Sequence, residues 1–406
     1  MVVPRGSARG VSVNQLRGVS AVRGGFLCGV LGYLAVCAVG TPAHAAALQK
    51  YPTGYYEINT DHDIDMVREA AARLTAMAEE YHRRTMGFAG KIRRRLPFYL
   101  FSDAADYKAM GGIGAGVYKG SCLMAYLPKG GGPSVWHVVQ HEGFHQFVDK
   151  VMGGRLPIWA NEGLAEYFGH GIWTGDGFVT GVIPPSRLGR VKTLIGSGKV
   201  KPFLEMLLMT NAEWQAALDV RNYDQAWSMV HFLVHAEDGK YRDAFSSFLR
   251  DLSGGTPPVK AFRLHFGGDV DAFQKKYSGW WVSLPDNPTE ERYVLAVCQT
   301  LTSYLARAHE QKRKFQSADE FFAAARNGEL KTAGERWLPP TLLESALAAA
   351  QRMKTWSIDN AATRPRLVLK RDDRVTFTGT FTGTAKKGFK VDVDIKHPGR
   401  PLKAAP

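Results

Sequence analysis

Along this chain the period of the apolar positions changes repeatedly, and each change marks an element. Thr53 to Asn59, with Tyr55 and Tyr56, reads as a short strand. From Asp61 to Met86 the apolar residues Ile64, Val67, Ala71, Leu74 and Met77 recur at helical spacing, and the acidic run Asp61 to Asp65 suits a helix start better than a calcium loop. Leu96 to Phe101 is a continuous apolar run, predicting a buried strand, followed by a short helix over Ser102 to Met110. The glycine-rich stretch from Gly111 to Gly132 contains Val117-Tyr118 and Leu123 to Tyr126 and predicts a hairpin. Its second strand is expected to be an edge that an extended peptide can pair with.

Pro133 suits the first turn of a helix running to about Val151, with Val135, Val138, Val139, Phe147 and Val148 apolar. After a turn at Gly153-Gly154, Asn161 is expected to cap a second helix. A hairpin around Asp176-Gly177 spans Gly171 to Pro184, and helices follow to about Tyr277, among them an amphipathic one over Asn222 to Leu233. Beyond Asn287-Pro288 come a helix from Glu291 to Asn327 and, after Pro339-Pro340, another from Thr341 to Lys354. Arg364 to Pro406 changes to strand patterning at Arg366 to Leu369, Val375 to Thr378 and Phe389 to Asp394. The resulting fold class is α+β, mainly helical, with a small N-terminal mixed sheet and a small C-terminal β appendage. The expected organisation is a leader over 1–45, a main domain over 46–286, a helical region over 287–360 and the appendage over 361–406.

The leader stands apart in composition. It holds Arg5, Arg9, Arg17 and Arg23 and no acid, then an apolar run of 14 residues from Phe26 to Val39, then Ala43-His44-Ala45. That order describes an export signal cut after Ala45. The run is short for a bilayer core of about 30 Å, which disfavours a membrane anchor. Leu34-Ala35-Val36-Cys37 approximates a lipoprotein signal, with Val36 a poor fit where a small residue belongs. Without the leader, 48 Lys and Arg face 38 Asp and Glu, and only Cys122 and Cys298 remain, which an oxidising compartment would allow to pair. The excess positive charge is scattered. Its one dense cluster, Lys91 to Arg95, carries no interleaved aromatics, so it reads as a solvated face or as attraction to an anionic cell envelope, not as nucleic-acid binding.

The chemistry concentrates between Trp136 and Gly171. His141-Glu142-Gly143-Phe144-His145 places two imidazoles one helical turn apart on one face, with Glu142 about 100° round from His141. Glu162, in Asn161-Glu162-Gly163-Leu164-Ala165-Glu166, returns a carboxylate on the next helix. Two histidines and a glutamate are the ligand set of a zinc ion with an open fourth position, and Glu142 then has the place of a general base on an activated water. His137 is read as a supporting or core histidine. His231 and His235 lack a carboxylate partner and are read as structural. Gly196 to Lys199 lacks the first glycine of a phosphate loop.

With Glu162 seventeen residues after His145, the motif pair resembles the gluzincin metallopeptidases, the group that includes thermolysin and the zinc aminopeptidases. The strings HEGFHQF and LPIWANEGLAEYF resemble more closely a bacterial peptidase-MA-like domain family of unknown function. The likeness covers about Tyr51 to beyond Val234. It implies a zincin-type fold and one zinc held by His141, His145 and Glu162, with Glu142 as the base and a peptide or protein as substrate. It also implies that Glu166, four residues after the ligand glutamate, buttresses a ligand histidine. Tyr223, at the start of the helix 61 residues after Glu162, corresponds to a tyrosine that donates to the tetrahedral oxyanion. Two other readings share the scaffold: a zinc-stabilised binding module of the cell envelope, and an amide hydrolase acting on peptidoglycan.

Overall fold

Apolar strands at both ends of the described chain organise separate sheets, and the helices between them carry the histidine and glutamate motifs. The computed structural model describes residues 48–399, apart from 131–133, 218, 331, 335–336 and 354. The expected leader with Cys37, and Pro133, lie outside the described residues. Among those described, no helix is long and apolar enough to cross a membrane.

The N-terminal sheet contains β1 (Gln49–Pro52), β2 (Tyr56–Thr60), β3 (Leu96–Phe101), β4 (Gly116–Lys119) and β5 (Cys122–Tyr126). Its order is β1-β2-β3-β5-β4, with β2, β3 and β5 parallel and antiparallel strands at both rims. The single strand expected over Thr53 to Asn59 is instead the turn and second arm of a hairpin, because Thr53 N–H and hydroxyl both bond Tyr56 O and reverse the chain there. The edge is β4, not β5, since β5 is paired on both sides.

Helix α1 (Ile64–Thr85) begins at Asp63, whose carboxylate accepts from Met66 N, while Asp61 turns away to Ser102. After α2 (Ala104–Ala109), the helix bearing the two histidines is α3 (Ser134–Met152) and the glutamate helix is α4 (Ile158–Gly169). The turn between them uses Gly153 and Gly154 at φ of 63° and 69°, left-handed geometry that glycine adopts without a Cβ clash. Asn161 is not the cap, because Pro157 begins α4 and leaves Asn161 inside its first turn. The expected hairpin forms from β6 (Ile172–Trp173) and β7 (Phe178–Val179).

Helices α5 (Pro185–Gly196), α6 (Phe203–Leu208), α7 (Asn211–Ala217), α8 (Val220–Gly239), α9 (Arg242–Ser253), α10 (Pro258–Phe266) and α11 (Val270–Ser283) complete the main core. From Ala226 to Val234 every residue of α8 is buried, so that helix is central and not amphipathic.

Residues 311–317 interrupt the long helix expected from Glu291 to Asn327, giving α12 (Glu290–Glu310) and α13 (Ala318–Arg326). Following α14 (Pro340–Ala350), β8 (Trp356–Asp359), β9 (Arg366–Lys370), β10 (Thr376–Thr384) and β11 (Gly388–Lys396) form an antiparallel sheet in the order β11-β10-β9-β8. Strand β8 follows the helix expected to end at Lys354 but lies within the region over 287–360 that was expected to be helical. Leu369 and Phe377 pack with Val294 and Cys298 of α12, and Gly379 lies so close to α12 that a Cβ would meet Thr302 Oγ1 at 2.1 Å. Arg307 of α12 bonds Asp176 through both guanidinium nitrogens, at 2.6 and 2.9 Å, fastening this region to the β6–β7 turn. Cys122 and Cys298 are not joined as a disulfide.

Candidate metal centre

A cluster of donors forms where α3 and α4 cross. Burying His141 and His145 on α3 requires neighbours that accept them, and α4 supplies Glu162. The two imidazole rings are 4.8 Å apart at 81°, and their Nε2 atoms are 3.1 Å apart. Glu162 Oε2 lies 3.4 Å from each. It is fully buried and has no hydrogen-bond partner, which costs free energy unless something positive sits among these atoms. A tetrahedral ion with bonds of about 2.0–2.1 Å separates its ligand atoms by about 3.3 Å. The three donors therefore fit a metal ion.

The electrostatics agree. Burial alone would raise the Glu162 pKa, but His145 and His141 pull it down to about 2. Burial would lower the His145 pKa, but Glu162, Glu142 and Asn161 raise it to about 9. The cluster demands positive charge, as protons or as a cation.

Glu142 is buried beside them. Its Oε2 accepts from Tyr118 N of β4 at 2.9 Å. Glu142, His145, Glu162, Asn161 and Tyr118 line a cleft of about 500 Å³, which Asn211, Ala212 and Gln215 of α7 also line. The Tyr118 hydroxyl donates to Asp149, at the foot of α3.

Behind the donors lies a second layer. Glu166 Oε1 is 3.4 Å from His141 Nδ1, so Glu166 faces the ring nitrogen opposite the one turned toward Glu162. Arg187 of α5 holds the other oxygen, Glu166 Oε2, through Nη1. Its Nε makes an ion pair with Asp224 Oδ1 at 2.8 Å, too far off line for a hydrogen bond. Its Nη2 reaches Tyr223 O at 3.2 Å and its plane covers Trp227. Arg190 also grips Asp224, at 2.6 and 2.8 Å. Under burial, the cation and nearby histidines hold the Glu166 carboxyl far below its usual range.

His137, Glu166 and His170 stand close enough for a second ion. The Arg187 guanidinium, 3.4 Å from His170 Nδ1, already supplies positive charge there. Burial and that cation push the His170 pKa down to about 3. His137 bonds Gly169 O through Nδ1 at 2.8 Å, a structural contact rather than a ligand position.

Tyr223 sits in the first turn of α8, half-buried, with its ring edge-on to Trp214 at 5.1 Å. It does not line the cleft described above; its carbonyl accepts from Arg187 Nη2, so it adjoins the layer behind the donors.

Sequence reasoning missed Arg187, Asp224 and Tyr118. One signal was present: an acid at 224 inside a buried apolar helix needs a cation, and Arg187 and Arg190 lie three apart on one helix face.

Residues 136–259 match the family model described as Protein of unknown function (DUF1570). No curated protein and no solved structure matches the chain. The matched stretch contains the three donors, Glu142, and the supporting set Glu166, Arg187, Tyr223 and Asp224. Tyr118 and the edge strand β4 lie before it.

Proposed function

We propose that this chain is a zinc-dependent hydrolase of peptide bonds with a gluzincin-type site. The observation that carries the reading is the placement of Glu142 at the cleft wall, beside three donors spaced for one ion. His141, His145 and Glu162 hold the metal. Zinc, when bound there, supplies a Lewis acid for the scissile carbonyl and lowers the pKa of a water toward about 7. Glu142, on the cleft wall, is the group that would take a proton from an attacking water and return it to the leaving amine.

Substrate placement follows from β4. Ala115 O accepts from Tyr126 N, so by antiparallel alternation the main-chain groups of Gly116 and Tyr118 face away from β5. A peptide lying along this open edge runs past Glu142, to which Tyr118 N–H already points. Tyr223 is assigned as the donor to the developing oxyanion, and Glu166 as the group that fixes the His141 ring. Export through residues 1–45 places the substrate outside the cytoplasm.

The test is Glu142→Gln. One bound zinc should remain while cleavage of an unfolded protein falls by about 10² to 10⁴-fold. Substantial hydrolysis by this variant at unchanged metal content would defeat the assignment. A wild-type protein that binds one zinc yet cleaves nothing would point to the binding module instead.

A further inference from the structure

A second cavity, of about 420 Å³, lies beyond the C-terminal end of α8 and shares no lining residue with the metal cleft. Its walls include His231, His235, Arg242, Thr289 and Arg292, with Ile183, Trp280 and Leu284 providing apolar surface.

Four observations give this cavity a sign. First, among the described residues no carboxylate pairs with Arg242 or Arg292. Arg292 instead donates to Thr180 O at 2.9 Å and contacts His235 Nδ1 at 3.5 Å, while Arg242 Nε reaches only Val234 O at 3.4 Å. Second, the cavity receives the N-terminal end of α12, a helix of 21 residues without a side-chain cap. The hydroxyl of Thr289, the residue at the cap position, accepts from Ile183 N instead, at 2.9 Å. The acids of that first turn point elsewhere, Glu290 to Arg371 and Glu291 to His397.

Third, His231 is fully buried against the cavity, and neither ring nitrogen has a partner. Burial first, then His235 and the nearby cations, hold it neutral. Fourth, Glu237 and Asp238 take consecutive left-handed conformations at φ of 50° and 58° on the rim. Such geometry is strained for residues with a Cβ and collects at functional sites. Asp238 also lines the wall, so the charge is not wholly positive. The two arginines and the helix end outweigh it.

We infer that this cavity binds a small oxyanion, a carboxylate or phosphate group carried on a compact apolar body, between Arg242, Arg292 and the α12 N-terminus. The apolar body lies against Ile183, Trp280 and Leu284. A ligand of this class places acceptor oxygens beside two guanidinium groups that have only carbonyl and imidazole partners, at the positive end of α12, and it gives His231 a neighbour to bond.

Calorimetric titration of the purified protein with inorganic phosphate and, separately, with succinate tests this, using chloride at matched ionic strength as the reference. Saturable binding of one ion per chain is expected. Stronger binding of phosphate identifies a phosphate-bearing ligand, and stronger binding of succinate a carboxylate. Arg242→Gln should weaken the preferred ion about tenfold, and Arg292→Gln at least as much. Arg242 is exposed, so its variant decides the matter even where Arg292→Gln fails to fold. No saturable binding of either ion, or binding undiminished in Arg242→Gln, overturns the inference.

Discussion

Removing the Arg187 guanidinium should damage the metal site from behind without touching a ligand. Arg187 is 5% exposed and stands between two carboxylates, Glu166 and Asp224. Arg187→Met keeps most of the apolar volume over Trp227 but deletes the charge. Asp224 retains Arg190, at 2.6 and 2.8 Å, so most of its compensation survives. Glu166 loses its strongest partner and keeps the histidines His141, His170 and His137 nearby.

Breaking one side of a buried ion pair typically costs about 3–5 kcal/mol. The surviving Arg190 should hold the loss to the lower part of that range. Freed from Arg187, Glu166 no longer has a fixed oxygen to offer His141 Nδ1, and the loss of such support typically weakens metal binding about 10 to 100-fold. Arg187→Lys should recover little, because an ammonium cannot span Glu166, Asp224 and Tyr223 O together.

Urea unfolding gives the stability change, and competition against a chromophoric zinc chelator gives the affinity. An Arg187→Met protein with zinc affinity within about threefold of wild type and stability within about 0.5 kcal/mol would show that this layer does not orient His141.

Gly163→Ala should destabilise by about 1–3 kcal/mol, because its Cβ would meet Ala226 O of α8 at 2.5 Å, a backbone atom that cannot rotate away; thermal unfolding reads this directly. Tyr223→Phe should lower kcat by about 10² or more while leaving KM and zinc content unchanged, if the hydroxyl reaches the oxyanion; an unchanged kcat removes the residue from the mechanism. For pH, His170 has a folded pKa of about 3, and His231 and His235 are held well below the ordinary histidine value. The unfolded chain therefore takes up protons near pH 6.5 that the folded chain refuses. Stability should fall as pH drops below about 6.5, by up to about 1.4 kcal/mol per pH unit for each histidine. Urea midpoints between pH 5 and 8 that stay flat would contradict this burial account.

The candidate ligands were legible because helical periodicity alone fixes His141 over His145, and the return of Glu162 needs only a glycine turn and a second helix. Strand existence was legible too, but pairing was not. Nothing local tells β4 from β5 as the edge, since that depends on β3 pairing with β5 across a separation of 25 residues, Phe98 with Leu123. Asn161 misled because a capping residue type sat one turn inside a helix that Pro157 had already begun. The glycines of both motifs carry no role that can be read from the sequence. Gly143 lies where a Cβ would meet Met77 of α1 at 2.8 Å, and Gly163 where it would meet α8. They are contact surfaces for other helices, a tertiary fact with no local signature.

The Gln140 side chain, one residue before the first histidine, donates to Phe168 O, Gly169 O and Gly171 O at 3.0, 3.1 and 3.0 Å. Together with the His137 bond to Gly169 O, it clamps α3 to the end of α4 through contacts made entirely by protein atoms. The spacing of the three donors is thus set by a latch that needs no ion. On the proposed function, a chelator should leave circular dichroism unchanged, and adding zinc should then restore hydrolysis at once, without a refolding lag. In this respect the centre is a socket in a finished frame, unlike small zinc domains whose folding waits for the ion.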